Sequence, residues 1–232
     1  SKKNFKNIAM TATICGASEQ ISQLYVKDTK VIPGKSPGGK GVKDFFFIKY
    51  ENIHRKIIGL TPNMRDNQFA SLLTLKIILE FIIDLENDPE RFCKKYNFNL
   101  NDIELFRTYY KSFLTYHGRI ADVNGMSYFL ETVVNSKVRP LNYELKGQPL
   151  TSALSVDQIK EFIKKIKNLN IVETKELPVA FATSLVSHGV DIDRWNIMIF
   201  QGIPRSTAEY IQALSRIGRK KVGLVINWFY PN

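Results

Sequence analysis

Residues 196–229, NIMIFQGIPRSTAEYIQALSRIGRKKVGLVINWF, contain a strand, a helix and a second strand in succession. The runs NIMIFQG and VGLVINWF are short and apolar, which predicts buried strands. Between them, Ser206 and Glu209 have the spacing of a capping box that opens the helix TAEYIQALSRI, and Gly218 stops that helix. Strand–helix alternation of this kind predicts a mostly parallel sheet that helices cover on both faces.

The same alternation continues outward through the chain. Further strands are predicted at KNIAMTAT, HRKIIGLT, KSFLTYH, NYELKG and PVAFAT. Further helices are predicted at ASEQISQLYVK, at 66–86, from Asp88-Pro89 onward, near 124–135 and at SVDQIKEFIKKIKN, where Ser155 and Gln158 form a capping box. The sequence therefore predicts an α/β fold with a helical segment, 66–110, that is longer than a minimal domain needs.

The composition is that of a globular protein with a basic surface. The 232 residues include 33 Lys and Arg against 22 Asp and Glu, a net charge of +11. This excess predicts an anionic partner, such as nucleic acid, a nucleotide or a membrane surface; a solvated basic surface without a partner is the alternative. Cys15 and Cys93 form no C-x-x-C pair, so we expect no metal site or disulfide framework, and the cytosol is the predicted compartment.

Two apolar runs raise the question of a membrane. In FASLLTLKIILEFIIDLE, residues 69–86, the charged residues Lys76, Glu80 and Asp84 recur every fourth position, so they form one polar stripe on a helix. A membrane span would not carry three charges through its centre, and a buried soluble helix is predicted. The run in SKKNFKNIAMTATICGAS is short and carries two threonines, which predicts a strand rather than a signal peptide.

The stretch GKSPGGKG, residues 34–41, resembles the phosphate-binding loop G-x-x-x-x-G-K-[S/T]. Gly41 stands where that loop needs a hydroxyl to hold Mg²⁺. The following VKDFFFIKY has a β-type pattern, whereas a phosphate loop opens a helix. We therefore predict a basic linker here and not a nucleotide site around Lys40.

Two segments carry candidate site residues. In FATSLVSHGVDI, residues 181–192, a buried strand ends in small polar residues, and ligands bind at the carboxyl ends of parallel strands; a polar turn is the alternative. In the helix that follows, the spacing of Gln212, Arg216 and Arg219 predicts one shared face, with Arg219 just past the helix stop. Two guanidinium groups there could grip a phosphate, although basic residues are also favoured at helix C-termini by the dipole.

ATSLVSHGVDI and YIQALSRIGR closely resemble motifs V and VI of superfamily 2 helicases. TAT at 11–13 resembles motif III, KSFLTYHGRI resembles motif IV, and PLTSALSVDQI resembles the segment between motifs IV and V, all in the family's order and spacing. The wording IPRSTAEYIQALSRIGR is similar to that of large bacterial and archaeal helicases of the DISARM phage-defence type. The resemblance implies a RecA-like fold of the P-loop NTPase type.

The resemblance also implies a role for each matching residue. Arg216 and Arg219 would be arginine fingers on the γ-phosphate of ATP, and Gln212 would position that phosphate or the attacking water. Gly189 and Asp191 would lie near the nucleotide. Four residues would contact nucleic acid or relay between it and the nucleotide: Thr183, Ser184, Thr151 and Ser152. Thr11 and Thr13 would couple hydrolysis to domain movement.

The family architecture implies how the chain is organised. Residues 1–30 would be the end of a first RecA-like domain, 31–52 a linker, and 53–232 the second RecA-like domain. The parts that bind the β-phosphate and Mg²⁺ would lie on the first domain, so we expect these 232 residues not to hydrolyse ATP alone. The implied partners are DNA, the first domain and other defence-system subunits, with RNA as the alternative substrate and a non-catalytic binding module as the alternative function.

Overall fold

The computed structural model describes residues 17–25, 53–63, 66–183 and 192–230. The chain divides into two compact units, 1–52 and 53–232. In the first unit, helix α1 covers Ala17–Tyr25 and confirms the predicted helix ASEQISQLYVK. The predicted strand KNIAMTAT, with Thr11 and Thr13, and the stretch GKSPGGKG, with Lys40, lie outside the described residues.

The second unit is built on a parallel sheet of six strands. The strands are β1 (Arg55–Leu60), β2 (Phe113–His117), β3 (Glu144–Leu150), β4 (Glu176–Ala182), β5 (Ile197–Gln201) and β6 (Gly223–Trp228). They are arranged in the order β1-β6-β5-β2-β4-β3, and every neighbouring pair is parallel. The predicted α/β fold with a parallel sheet is therefore confirmed.

Helices connect the strands and cover the sheet. They are α2 (Asn67–Asn87), α3 (Pro89–Tyr96), α4 (Ile103–Tyr110), α5 (Ile120–Phe129), α6 (Val156–Asn168) and α7 (Thr207–Leu214). The helix predicted near 124–135 begins at Ile120, and beyond Phe129 it continues as a π-helical segment, Leu130–Asn135. Short turns at Leu100–Asp102, Ser136–Val138 and Arg139–Leu141 complete the connections.

Both faces of the sheet are covered, as the continuous apolar strands predict. On β2, Phe113 packs in a cluster with α2 and α5, whereas its neighbour Leu114 packs with α6 and α7 on the other face. Successive strand residues point to opposite faces, so an apolar residue is needed at each position of a central strand. All five residues of β2 and of β5 are buried.

The long helical segment serves the core and adds a small cluster of its own. Leu75, Leu79 and Ile82 of α2 are buried against the sheet, while Lys76 pairs with Glu80 at 2.6 Å on the polar stripe. Asp88 caps α3 by accepting from the backbone N–H of Arg91, as predicted. Phe81, Phe92, Phe98 and Phe106 then form a separate aromatic cluster under α3 and α4.

One predicted capping box is correct and the other is wrong. Ser155 and Gln158 make both hydrogen bonds of the box at the start of α6. The Ser206 side chain makes no capping hydrogen bond at the start of α7. The Glu209 carboxylate, the other predicted member of the box, accepts from the hydroxyl of Tyr116 on β2. Helix α7 also ends earlier than predicted, at Leu214 rather than Ile217.

Strand β1 closes one edge of the sheet and is largely uncovered. Ile57 and Ile58 are 51% and 44% exposed, although they point to opposite faces. Leu60 is also exposed. The sheet therefore ends in a strand whose apolar side chains lie open on both faces.

Candidate functional site

The carboxyl ends of the strands bring two predicted residues together. Thr151 directly follows β3 and Thr183 directly follows β4, which is the neighbouring strand. The backbone N–H of Thr183 donates to the carbonyl oxygen of Leu150 at 3.3 Å, and both threonines are buried. Ser152 is exposed beside them, while Ser184 lies outside the described residues.

The predicted arginines lie at the amino-terminal ends of the strands, which we call the amino edge, opposite the carboxyl ends where Thr151 and Thr183 lie. Helix α7 leaves the carboxyl end of β5 and returns the chain to the start of β6, so its C-terminus lies at the amino edge. Gln212 is on α7, but Arg216 and Arg219 lie in the loop beyond Leu214. Arg219 thus lies past the helix, as predicted, whereas Arg216 lies beyond the last helical residue instead of on the helix. The backbone N–H of Arg216 donates to the backbone carbonyl oxygen of Ala213 at 3.1 Å. This i→i−3 hydrogen bond belongs to a 3₁₀-type turn, which ends the α-helix.

The loop of residues 215–222, which we call the arginine loop, is docked on the chain before β1. The Nε of Arg55 donates to the carbonyl oxygen of Ile217 at 2.6 Å. The N–H of Gly223 donates to the carbonyl oxygen of His54 at 2.9 Å. Gly218 has φ +72°, and a Cβ there would overlap the carbonyl oxygen of His54. Only glycine fits this position, both for its backbone conformation and for the close approach.

Charges concentrate at this amino edge. Burial, and then the positive charge of Arg219, lower the pKa of Arg55, so the two guanidinium groups influence each other. Lys220 lies 2.7 Å from Asp193, which precedes the neighbouring strand β5. The hydrogen bond from Lys220 lowers the pKa of the Asp193 carboxyl, and the charge of Arg219 acts in the same direction. The result is a cluster of cations around one carboxylate, which suits a phosphate-bearing ligand.

Arg55 was not predicted from the sequence. It lies far from motif VI along the chain, and only the pairing of β1 with β6 brings it beside Ile217. Gly189 and Asp191, the candidates expected near the nucleotide, lie outside the described residues. Asp193 follows them by two positions and is the nearest described acidic residue in the sequence.

At the carboxyl ends of the strands, hydrogen bonds between buried side chains link β2 to β5. The Gln201 oxygen Oε1 can only accept, so His117 donates from Nδ1 at 2.8 Å. The Nε2 of the neutral ring then accepts from the Thr115 hydroxyl at 2.6 Å. Burial lowers the pKa of His117 to about 4, against the smaller effect of Gln201. The ring is therefore neutral at pH 7 and holds the Gln201 amide in a fixed orientation.

No helix among the described residues is long and apolar enough to cross a membrane. Within the same residues, no three His, Cys, Asp or Glu side chains gather in a group that could hold a metal ion.

Comparison with known proteins gives matches over most of the chain. The sequence model of the family described as helicase conserved C-terminal domain matches residues 104–221, about half of the chain. DISARM protein DrmA of Bacillus paralicheniformis is 28% identical over an alignment 239 residues long. The alignment covers 97% of this chain and 20% of DrmA. The chain thus spans about a fifth of the length of this curated relative.

The fold is similar to that of a solved helicase. The crystal structure of the DUF1998 helicase MrfA bound to DNA matches 76% of this chain and 21% of its own, with a TM-score of 0.51 and 15% identity. At that identity the likeness concerns the fold. It agrees with the parallel sheet and flanking helices described above.

Proposed function

Because this chain belongs to the helicase conserved C-terminal domain family and carries the superfamily 2 motifs, we propose that it is the second RecA-like motor domain of an ATP-dependent DNA helicase or translocase. The observation that carries the proposal is the docked arginine loop. Arg216 and Arg219 lie in a loop that Arg55 and Gly218 fix to the sheet. A fixed pair of guanidinium groups is what an enzyme needs where charge develops during phosphoryl transfer.

The residues at the amino edge fit ATP. Lys220 and Arg219 of the arginine loop act on the Asp193 carboxylate, and Arg219 also acts on Arg55. Guanidinium groups bind phosphate oxygens through paired N–H donors. In the proposed arrangement Arg216 and Arg219 contact the γ-phosphate, Gln212 positions it or the attacking water, and Gly189 and Asp191 lie toward the rest of the nucleotide. Bound ATP with Mg²⁺ would supply the phosphoryl group whose hydrolysis drives the motor.

We assign the opposite edge to nucleic acid. Thr151 and Thr183 lie together at the ends of β3 and β4, with Ser152 exposed beside them, and hydroxyl groups are among the donors that bind a phosphate backbone. Ser152 and Ser184 adjoin them in the sequence. The net charge of +11 supports an anionic partner, and MrfA, which shares the fold, was solved bound to DNA. DNA is therefore the proposed substrate.

The remaining elements of the proposal concern the longer protein. We propose that residues 1–30 belong to a first RecA-like domain, that 31–52 link the two domains, and that Thr11 and Thr13 couple hydrolysis to their movement. The β-phosphate and Mg²⁺ would be bound by that first domain, because the only near-match to a phosphate loop here has Gly41 in place of the hydroxyl. Likeness to DISARM protein DrmA supports a place in a defence system. We propose that the longer protein works in the cytoplasm with further subunits of that system.

The test is ATP turnover by the full-length protein with and without single-stranded DNA. Arg216→Ala and Arg219→Ala should each lower DNA-stimulated turnover by roughly a thousandfold, the usual worth of an arginine finger, while DNA affinity is retained. Lys221→Ala, an exposed cation of the same loop, is the matched control and should be nearly neutral. Residues 1–232 alone should show no turnover. Turnover that survives both arginine changes would refute the assignment.

A further inference from the structure

A cavity of about 860 Å³ opens at the carboxyl edge of the sheet, beside the ends of β2 and β5. Its wall includes the first turns of α5 and α7 and the chain after β6. None of the threonines or serines assigned above to nucleic acid lines it. The polar and aromatic groups that matter here are Arg119, Asp122, Gln201, Arg205, Glu209 and Tyr230.

One wall of the cavity is an aromatic ring held in place by a glycine. A Cβ at Gly202 would overlap the Tyr230 ring, and Gly202 has φ +78°, so a glycine is needed there on both grounds. Tyr230 nevertheless remains 59% exposed, which leaves much of its surface open to the cavity. Burial, and then the charge of Asp122, raise the pKa of Tyr230, whereas the charge of Arg119 and a hydrogen bond from the Gln201 side chain act against that increase.

The hydrogen-bonding groups of the wall are held by neighbours. Gln201 is 4% exposed, and its oxygen accepts from His117 Nδ1 at 2.8 Å, which fixes where its NH₂ group lies. Glu209 is anchored by the Tyr116 hydroxyl. Gln68 donates to the backbone carbonyl of Asp122 at 3.4 Å and ties the starts of α2 and α5 together. The cavity therefore presents fixed donors and acceptors beside an aromatic surface.

The charges of the cavity decide what it can hold. Its lining includes Arg119 and Arg205 but also the carboxylates of Asp66, Asp122 and Glu209. Carboxylates repel phosphate, so this mixture does not suit a groove that follows a backbone. It does suit a nucleobase, which has an uncharged face for stacking and an edge of donors and acceptors.

We propose that this cavity receives one unstacked base of the bound DNA strand. The base stacks on Tyr230, its edge meets the Asp122 carboxylate and the Gln201 amide, and Arg119 and Arg205 contact the flanking phosphates. A carboxylate accepts hydrogen bonds, so the site favours a base that presents an amino group, as cytosine does through N4. The inference rests on the proposed function, since it names a subsite on the same nucleic-acid edge.

The test is a scan of base removal with the full-length protein. A series of single-stranded DNA oligonucleotides carries one abasic site each, moved by one nucleotide at a time, and Kd is measured by fluorescence anisotropy at one fixed salt concentration. Wild-type protein should show one position where loss of the base weakens binding about tenfold, the usual worth of a base–aromatic stack. Tyr230→Ala should remove that position-specific loss, and Tyr230→Phe should keep it.

Two further variants complete the design. Tyr128→Ala changes another exposed tyrosine, one that does not line the cavity, and should leave the abasic profile as in wild type. Asp122→Asn should change which of the four bases binds best at the sensitive position, because an amide donates where the carboxylate only accepts.

The outcomes distinguish failure of the base subsite from failure of the proposed function. A flat abasic profile in a wild-type protein that binds DNA and hydrolyses ATP would overturn the base subsite alone. A sensitive position that persists in Tyr230→Ala, or a base preference unchanged in Asp122→Asn, would also overturn it. A protein that binds no DNA would overturn both the subsite and the proposed substrate.

Discussion

The Arg55 Nε donates to the carbonyl oxygen of Ile217 at 2.6 Å, and this bond joins the first strand of the sheet to the loop that carries Arg216 and Arg219. Arg55 is itself half-buried, and its pKa is lowered by that burial. A charged donor on a backbone acceptor is among the stronger hydrogen bonds in proteins. The position of the arginine loop therefore depends on a residue outside the helicase motif.

Arg55→Ala should loosen the arginine loop without removing either proposed finger. We expect the free energy of unfolding to fall by about 2 kcal/mol, the usual worth of a hydrogen bond from a charged group. ATP turnover of the full-length protein should fall while DNA affinity is retained. Lys56→Ala, an exposed cation on the same strand, is the control. Normal turnover in Arg55→Ala would show that the loop holds its position without this bond.

Gly218→Ala and Gly125→Ala should have opposite effects on stability. At Gly218 a Cβ would overlap the His54 carbonyl oxygen, and φ is +72°, so we expect a loss of several kcal/mol, about 3 or more. At Gly125, within α5, the nearest atom to a Cβ is 3.6 Å away, and alanine should stabilise the helix by about 1 kcal/mol. Chemical denaturation of the 232-residue chain measures both. Equal stability of the two variants would contradict the docking of the loop.

Two carboxylates on α2 should differ sharply in importance. Glu86 is 3.3 Å from Lys111 Nζ, a side chain buried at 1% exposure, and 2.7 Å from Arg107. Burial lowers the pKa of Lys111, and Glu86 opposes that shift. Glu86→Gln should therefore cost roughly 3 kcal/mol, because it leaves a buried cation without its partner.

The control for Glu86 is Glu80, whose pair with Lys76 at 2.6 Å is solvent-exposed. Glu80→Gln should change the free energy of unfolding by less than about 1 kcal/mol. Urea denaturation at pH 7 distinguishes the two variants. Similar losses in both would mean that Lys111 is stabilised by its hydrogen bond to the Val172 carbonyl rather than by Glu86.

The stability of the chain should fall in mild acid because of His117. Its pKa is lowered from 6.5 to about 4, so between those values the unfolded chain takes up a proton that the folded chain does not. Stability from this group is complete above pH 6.5 and is lost as the pH falls toward 4, by roughly 3 kcal/mol in all.

The comparison for His117 is His117→Gln, which cannot be protonated. Between pH 7 and about pH 4 the free energy of unfolding should fall less in His117→Gln than in wild type. The difference between the two losses should be roughly 3 kcal/mol. The difference between the two profiles cancels the other titrating groups. Parallel profiles would show that His117 is not held neutral in the folded chain.

Local sequence signals predicted the fold well where the contacts they imply are local. Ser155 and Gln158 form their capping box because both partners lie within one turn. Ser206 and Glu209 have a similar spacing, but Tyr116, distant in the chain, takes the Glu209 carboxylate. No local pattern reveals that competition, since it arises only when β2 and α7 pack together.

The candidate site was likewise predictable only where it depends on local sequence. The sequence offered Thr151, Thr183, Gln212, Arg216 and Arg219 as candidates, but it did not show that they fall at opposite ends of the strands. That separation follows from the direction of α7, which runs against the strands. Arg55 and the His117–Gln201 pair depend on strand order, and strand order is set by packing across the whole domain.

The open edge at β1 bears on how the isolated chain behaves in concentrated solution. Within the residues that the structure describes, β1 pairs with a strand only on its β6 side, and apolar side chains are exposed on both of its faces. Such an edge is a template on which a second molecule can add its own strand. Solubility of the 232-residue chain should therefore be limited by edge-to-edge aggregation, and a lysine introduced by Ile57→Lys is the simplest way to block it.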